Sequence, residues 1–346
     1  MNGYYINNNK VNNKNNIIII VSRILVVILI IVGILAQNNL VVASKFVYAD
    51  SDLPKILVGY KVVHISDICN TSNNIISLVK LEKPDIILLS GGYQDKDGST
   101  DMTVKVVNEL CKIAPVYYIY GTYDKTNCLD STSAVNITDS SIKITSDIKD
   151  ANEFIKKVYG DSIIKKASKG DTEAVQYIQY ISDTLANEQH YSISVCGINN
   201  MTDKSDNEVQ QKVYDIAGYE INDFTIMLNG NINNTDIICK ANLDIVLTGG
   251  TFGKSTNTTD FSKGAYSCSG TQLFVSGGCG NYDSKRIFNL PEIQVITLSD
   301  GTIKQESPLE NILDLFIDDV GTVYDNDGGF SEYTYKYGGL YNKVNR

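Results

Sequence analysis

Short apolar runs alternate with amphipathic stretches along most of this chain. Lys61–Ser66 (KVVHIS), Asp85–Ser90 (DIILLS) and Val116–Tyr120 are continuous apolar segments of strand length. Between them, Asn73–Lys83 carries Ile75, Ile76, Leu78, Val79 and Leu81 at helical spacing and is stopped by Pro84. Met102–Ile113 repeats that pattern. Buried strands separated by helices predict a covered sheet of βαβ type.

The rhythm breaks at about 125–190. Lys125–Ser146 is polar and reads as loop, and Ala151–Leu185 reads as two helices split at Lys169-Gly170-Asp171. This stretch is expected to be a helical insertion packed outside the main fold. The alternation resumes with strand Ser192–Gly197, helix Asn207–Tyr219, strand Phe224–Leu228, a short helix over Thr235–Asn242 and strand Asp244–Thr248. After Gly264 come the strand-like segments AYSCSG, TQLFVSGG and EIQVITL. Ser307-Pro308-Leu309-Glu310 is a capping box with proline at the first helical position, and predicts a helix to about Phe316.

Near the start, Ile17–Ala36 is apolar on every face, interrupted only by Ser22, Arg23 and Gly33. Twenty helical residues reach roughly 30 Å, one bilayer core, so the run is expected to be a transmembrane signal anchor. Lys10 and Lys14 precede it, which predicts a cytoplasmic N-terminus and an exported globular part. Val47-Tyr48-Ala49 has the form of a processing site but lies far beyond the apolar run, so an uncleaved anchor is expected.

Composition narrows the function. The chain has 346 residues, is 43% hydrophobic and carries a net charge of −10. Lys10, Lys14, Arg23 and Lys45 against Asp50 make the first fifty residues +3, so the remainder carries −13. That body has no basic stripe, and no nucleic-acid partner is expected. Seven cysteines form no C-x-x-C pair and mostly lie in apolar stretches, where they read as small buried hydrophobes. The chain has just two histidines, His64 and His190, too few for a His-rich di-metal centre.

Taken in order, HISDIC, KPDIILLSGG, VYYIYGTYD, FTIMLNGN, DIVLTGGTFGKS and GAYSCSGTQLFVSGGCGNYDSKRIFNLPEIQVITL resemble the calcineurin-like metallophosphoesterases, in their membrane-associated bacterial branch. The resemblance covers about residues 60–298 without the insertion. Its strongest part is the closing segment, through Gly264, Tyr266, Leu273, Val275, Ser276, Gly278, Gly280, Arg286, Pro291 and Glu292. It implies a four-layer αββα sandwich. Together with the residue pattern at either end, the expected organisation is a polar tail at 1–16, an anchor at 17–36, a linker at 37–59, the phosphoesterase-like domain at 60–306 and a C-terminal helix and tail at 307–346.

That family uses two divalent metals, clamped at strand ends by Asp, His and Asn, to generate a nucleophilic hydroxide and neutralise phosphoryl oxygens. Here Asp67 matches the first aspartate, but the histidine two residues on is Cys69. The metal-bridging aspartate falls at Gly92. The ligand asparagine is Thr122 and the catalytic histidine is Tyr123, with the supporting Asp124 retained. The remaining histidines fall at Gly230, Gly250 and Phe252. One direct ligand of seven survives, so no catalytic residue, metal ligand set or cofactor is expected. His64 is expected in the core, and His190 lies away from every motif.

Three rival chemistries fall short. Gly253-Lys254-Ser255 lacks the first glycine of a P-loop, which falls at Thr248. Asp95-Lys96-Asp97-Gly98 and Asp325-Asn326-Asp327-Gly328 lack the full calcium-loop pattern and read as acidic turns. Cys69 as a nucleophile has no histidine among the motifs to activate it. The expected function is a membrane-anchored, catalytically inactive binding or scaffolding module for a small ligand or cell-surface protein. The alternative is a phosphoesterase with a rebuilt site near Asp67, Asp95, Asp97 and Asp124.

Overall fold

The computed structural model describes residues 9–37, 40–71, 74–145, 150–188, 191–199, 201, 204–218, 223–251, 261–280, 290–303, 334–335 and 339–340. His190, Phe252, the Gly253-Lys254-Ser255 segment, Arg286, the expected helix from Ser307 and the Asp325–Gly328 turn lie outside the described residues.

Two six-stranded mixed sheets pack face to face as an α/β sandwich. The first runs in the order β1 (Val42–Ala49), β12 (Glu292–Ser299), β2 (Lys61–Ile65), β3 (Ile86–Leu89), β4 (Val116–Tyr118) and β5 (Val135–Asn136). The second runs β10 (Gly264–Cys268), β11 (Thr271–Val275), β9 (Ile245–Thr248), β8 (Phe224–Asn229), β7 (Ser192–Ile198) and β6 (Ser140–Thr145). β2 through β5 are parallel, as are β11, β9, β8 and β7; β12 runs antiparallel to β2.

Side chains alternate between two cores along each strand. Val62, Ile86 and Leu88 face Val195, Ile226, Leu228 and Leu247 in the inter-sheet core. Val63, Ile65, Ile87 and Leu89 face outward to helices α2 (Ile75–Glu82) and α3 (Asp101–Leu110). Cys196, Met227, Val246 and Leu273 do the same beneath α7 (Asp206–Ala217) and α8 (Thr235–Cys239). The continuously apolar strands are thus covered on both faces, the arrangement their sequence demands.

Three expectations need correction. Residues 37–59 are not a mere linker, because β1 lies there, paired residue for residue with β12. Residues 125–146 are not all loop: β5 extends the first sheet and β6 the second. The insertion, expected as two helices, caps one end of the sandwich and is continuous with its core. It forms three helices, α4 (Ala151–Tyr159), α5 (Ser162–Ala167) and α6 (Thr172–Asn187), and its Phe154, Ile155, Ile181 and Leu185 are buried in the inter-sheet core with Ile56 and Leu57. Gly160, at φ +74°, makes the additional break. These helices close the sandwich at the end where β2 begins, with Lys157 paired to Asp85 ahead of β3.

At the N-terminus, helix α1 spans Asn9–Gln37, and its described side chains, 17–31, are all exposed. Among the described residues no helix is long and apolar enough to cross a membrane. The span expected at 17–36 runs past the described side chains.

Candidate functional site

The motif positions gather at the carboxyl ends of the parallel strands, opposite the insertion. Asp67 follows β2, Gly91 and Gly92 follow β3, Gly121 to Asp124 follow β4, Gly230 follows β8, and Gly249 and Gly250 follow β9. This is where open α/β sheets place ligands.

Asp67 is 5% exposed and lies in the left-handed region at φ +50°, as do Cys69 and Asn70 after it. Its Oδ2 accepts hydrogen bonds from Ser66 Oγ (2.8 Å) and the Gly250 N–H (2.8 Å). Its own N–H donates to Gly91 O (2.9 Å), and its carbonyl accepts from the Gly280 N–H (2.6 Å). The carboxylate therefore joins the ends of the two sheets.

Glycine backbone packs around it. A Cβ on Gly92 would stand 2.6 Å from both Asp67 Cα and Oδ1, on a backbone at φ +78°. A Cβ on Gly249 would meet Asp67 Oδ2 at 2.9 Å, and one on Gly278 would meet Asp67 Cβ at 2.8 Å. Gly92 is not an emptied ligand position, since Asp67 occupies the space its side chain would need. Gly230 is filled likewise, its Cβ direction ending 2.7 Å from Tyr120 O. Gly250 differs: it is exposed, at φ +83°, with open space where a side chain would project.

Asp124 lies across the Gly91-Gly92 turn. Its Oδ2 accepts from the Gly92 and Gly121 N–H groups, and its Oδ1 from the Tyr93 N–H, each at 2.8 Å. A carboxylate bound by three backbone donors is a structural clamp on two loops. Cys69 is buried and its N–H donates to Gly92 O (2.9 Å). Thr122 makes a long contact to Gly230 O (3.5 Å), and Tyr123 projects into solvent at 86% exposure.

Of the described motif positions, Gly92, Gly230 and Gly250 carry no side-chain donor for a metal. Among the described residues no group of three or more His, Cys, Asp or Glu converges to hold an ion. Asp95, in the alternative reading, is an Asx turn: its Oδ1 takes the N–H groups of Asp97 and Ser99 and its Oδ2 takes Asn70 Nδ2. These bonds, Ser99 first and Asn70 next, hold its carboxyl below the usual range.

His64 lies directly beneath this end, fully buried between the sheets. Gln294 donates through Nε2 to Val275 O (3.0 Å), so its Oε1 accepts from His64 Nδ1 (2.9 Å), leaving His64 Nε2 to accept from Ser90 Oγ (2.8 Å). Desolvation pulls the imidazole pKa down to about 4, against opposing contributions from Gln294 and Glu292. Nearby Glu292, wholly buried, pairs with Lys263 (2.6 Å) and bonds the Gly277 N–H and Ser44. Sequence reading did not single out this ion pair. Nor did it read the strand-ending pairs Gly91-Gly92, Gly249-Gly250 and Gly277-Gly278 as packing for Asp67, although such pairs are a visible signal of close backbone approach.

No protein-family model and no curated protein matches the sequence. Among solved structures, TT1561 of Thermus thermophilus is similar over 63% of this chain and 89% of that one, at 12% identity and a TM-score of 0.34.

Proposed function

We propose that this chain is a metallophosphoesterase-like protein that has lost hydrolysis and serves as a binding or scaffolding module, tethered to a membrane through residues 17–36. The observation that carries the reading is the packing around Asp67. The carboxylate expected to hold a metal is instead engaged by Ser66 and Gly250, and the bridging position at Gly92 lies within 2.6 Å of it. Two-metal hydrolysis needs several side-chain donors around each ion and an open position for water. Glycine supplies no such donor, and Asp124 is committed to backbone N–H groups. The tether is supported by the run from 17 to 31, exposed on every face.

The test uses the purified full-length chain in detergent, titrated separately with manganese, zinc and iron, with a generic phosphomonoester and phosphodiester as substrates. The expected outcome is no stoichiometric metal uptake and no turnover above buffer. Turnover that Asp67→Ala abolishes would overturn the reading in favour of a rebuilt phosphoesterase site.

A further inference from the structure

We infer that the candidate-site end of the sandwich is the face turned toward the bilayer, resting on phospholipid headgroups; this builds on the membrane tether proposed above. The argument is one of chain direction. β1 pairs in parallel with β12, from Val42 opposite Glu292 to Ala49 opposite Ser299, and β12 is antiparallel to β2. β1 therefore starts at the end where β2 finishes, which is the Asp67 end.

The start of β1 is fixed there by named contacts. Val41 is 1% exposed; its N–H donates to Asn74 Oδ1 (2.9 Å) and its carbonyl accepts from Asn74 Nδ2 (2.9 Å). Asn74 lies just after the Asp67 loop, at the start of α2. Val42 N–H donates to Pro291 O, and Glu292 N–H donates to Gly278 O, each at 2.9 Å. Gly278 is the glycine that packs on the Asp67 side chain.

The tether is short. α1 ends at Gln37, so four Cα steps separate it from Val41, a reach of about 15 Å. β1, at eight residues, is roughly 26 Å long. The tether thus keeps the start of β1, at the site end, within about 15 Å of the bilayer, whereas no chain connection holds the opposite end, closed by the insertion helices, near it. The site end also presents Leu40 at 51% and Tyr123 at 86% exposure. A tyrosine there suits the headgroup layer. The acidic body supplies no electrostatic attraction to an anionic surface, so covalent proximity maintains the contact.

The experiment places p-benzoylphenylalanine at Tyr123 or at Tyr180, an exposed residue of α6 at the opposite end. Each full-length variant is reconstituted into vesicles of phosphatidylethanolamine and phosphatidylglycerol, floated, and irradiated. The expected result is co-flotation of both variants, with lipid adducts at least fivefold more abundant at 123 than at 180. Co-flotation with equal or reversed adduct yields overturns the orientation while sparing the tether. Failure of both variants to float overturns the tether and the orientation with it.

Discussion

At the scale of single residues, Gly92 and His64 carry the clearest consequences. Placing an acidic side chain here by Gly92→Asp would drive a Cβ into Asp67 at 2.6 Å on a left-handed backbone. Backbone strain and overpacking together are expected to destabilise the fold by about 3 kcal/mol or more. Chemical denaturation of the variant checks this, and metal binding with undiminished stability would refute it. His64 sets a pH dependence. Its folded pKa of about 4 lies below the unfolded 6.5, so the native state binds fewer protons between those values. Stability is therefore full above pH 6.5 and falls as pH drops toward 4, by about 2 kcal/mol already at pH 5. In His64→Gln this slope should disappear, although the variant is weaker at pH 7. Denaturation midpoints of both proteins at pH 7 and 5 measure the difference.

At the scale of elements, β1 decides how the N-terminus can be processed. Cutting after Ala49 would remove a whole edge strand, with Val47 and Tyr48 buried against the sandwich. Burying side chains of that size is worth about 1.5–3 kcal/mol each, before the ladder of β12 is uncovered. A chain beginning at Asp50 is expected to be insoluble, or less stable than one beginning at Leu40 by about 3 kcal/mol or more. The protein isolated from cells should retain residues before Val42, which intact mass or N-terminal sequencing would read. The edge strands β1, β5 and β6 escape sequence reading for a common reason. Each is short or half-exposed, so its apolar signal is diluted, whereas β2, β3, β7, β8 and β9 are covered on both faces and read as unbroken apolar runs.

At the scale of the whole molecule, two ends of one sandwich are built by opposite means. The insertion closes one end with large apolar side chains, and glycine backbone closes the other around the carboxylates of Asp67 and Asp124. Because Phe154 is fully buried in the inter-sheet core, Phe154→Ala is expected to cost about 3–5 kcal/mol, as a core deletion does. A helical piece merely docked on the surface would lose less than about 1 kcal/mol, so thermal and denaturant unfolding of this variant separates the two roles.

The alternation of strands and helices was legible in the residues alone, because hydrophobic period and turn chemistry are local properties. So was the absence of a side-chain donor at Gly92, Gly230 and Gly250, since residue identity decides what can coordinate. What became of the vacated space was not legible. Asp67, Gly92, Gly249 and Gly278 are far apart in sequence and meet only when two sheets pack, and a missing Cβ has no signature along the chain until another atom occupies its place. The end at which α1 joins the body was settled in the same way, by the parallel pairing of β1 with a strand some 250 residues later.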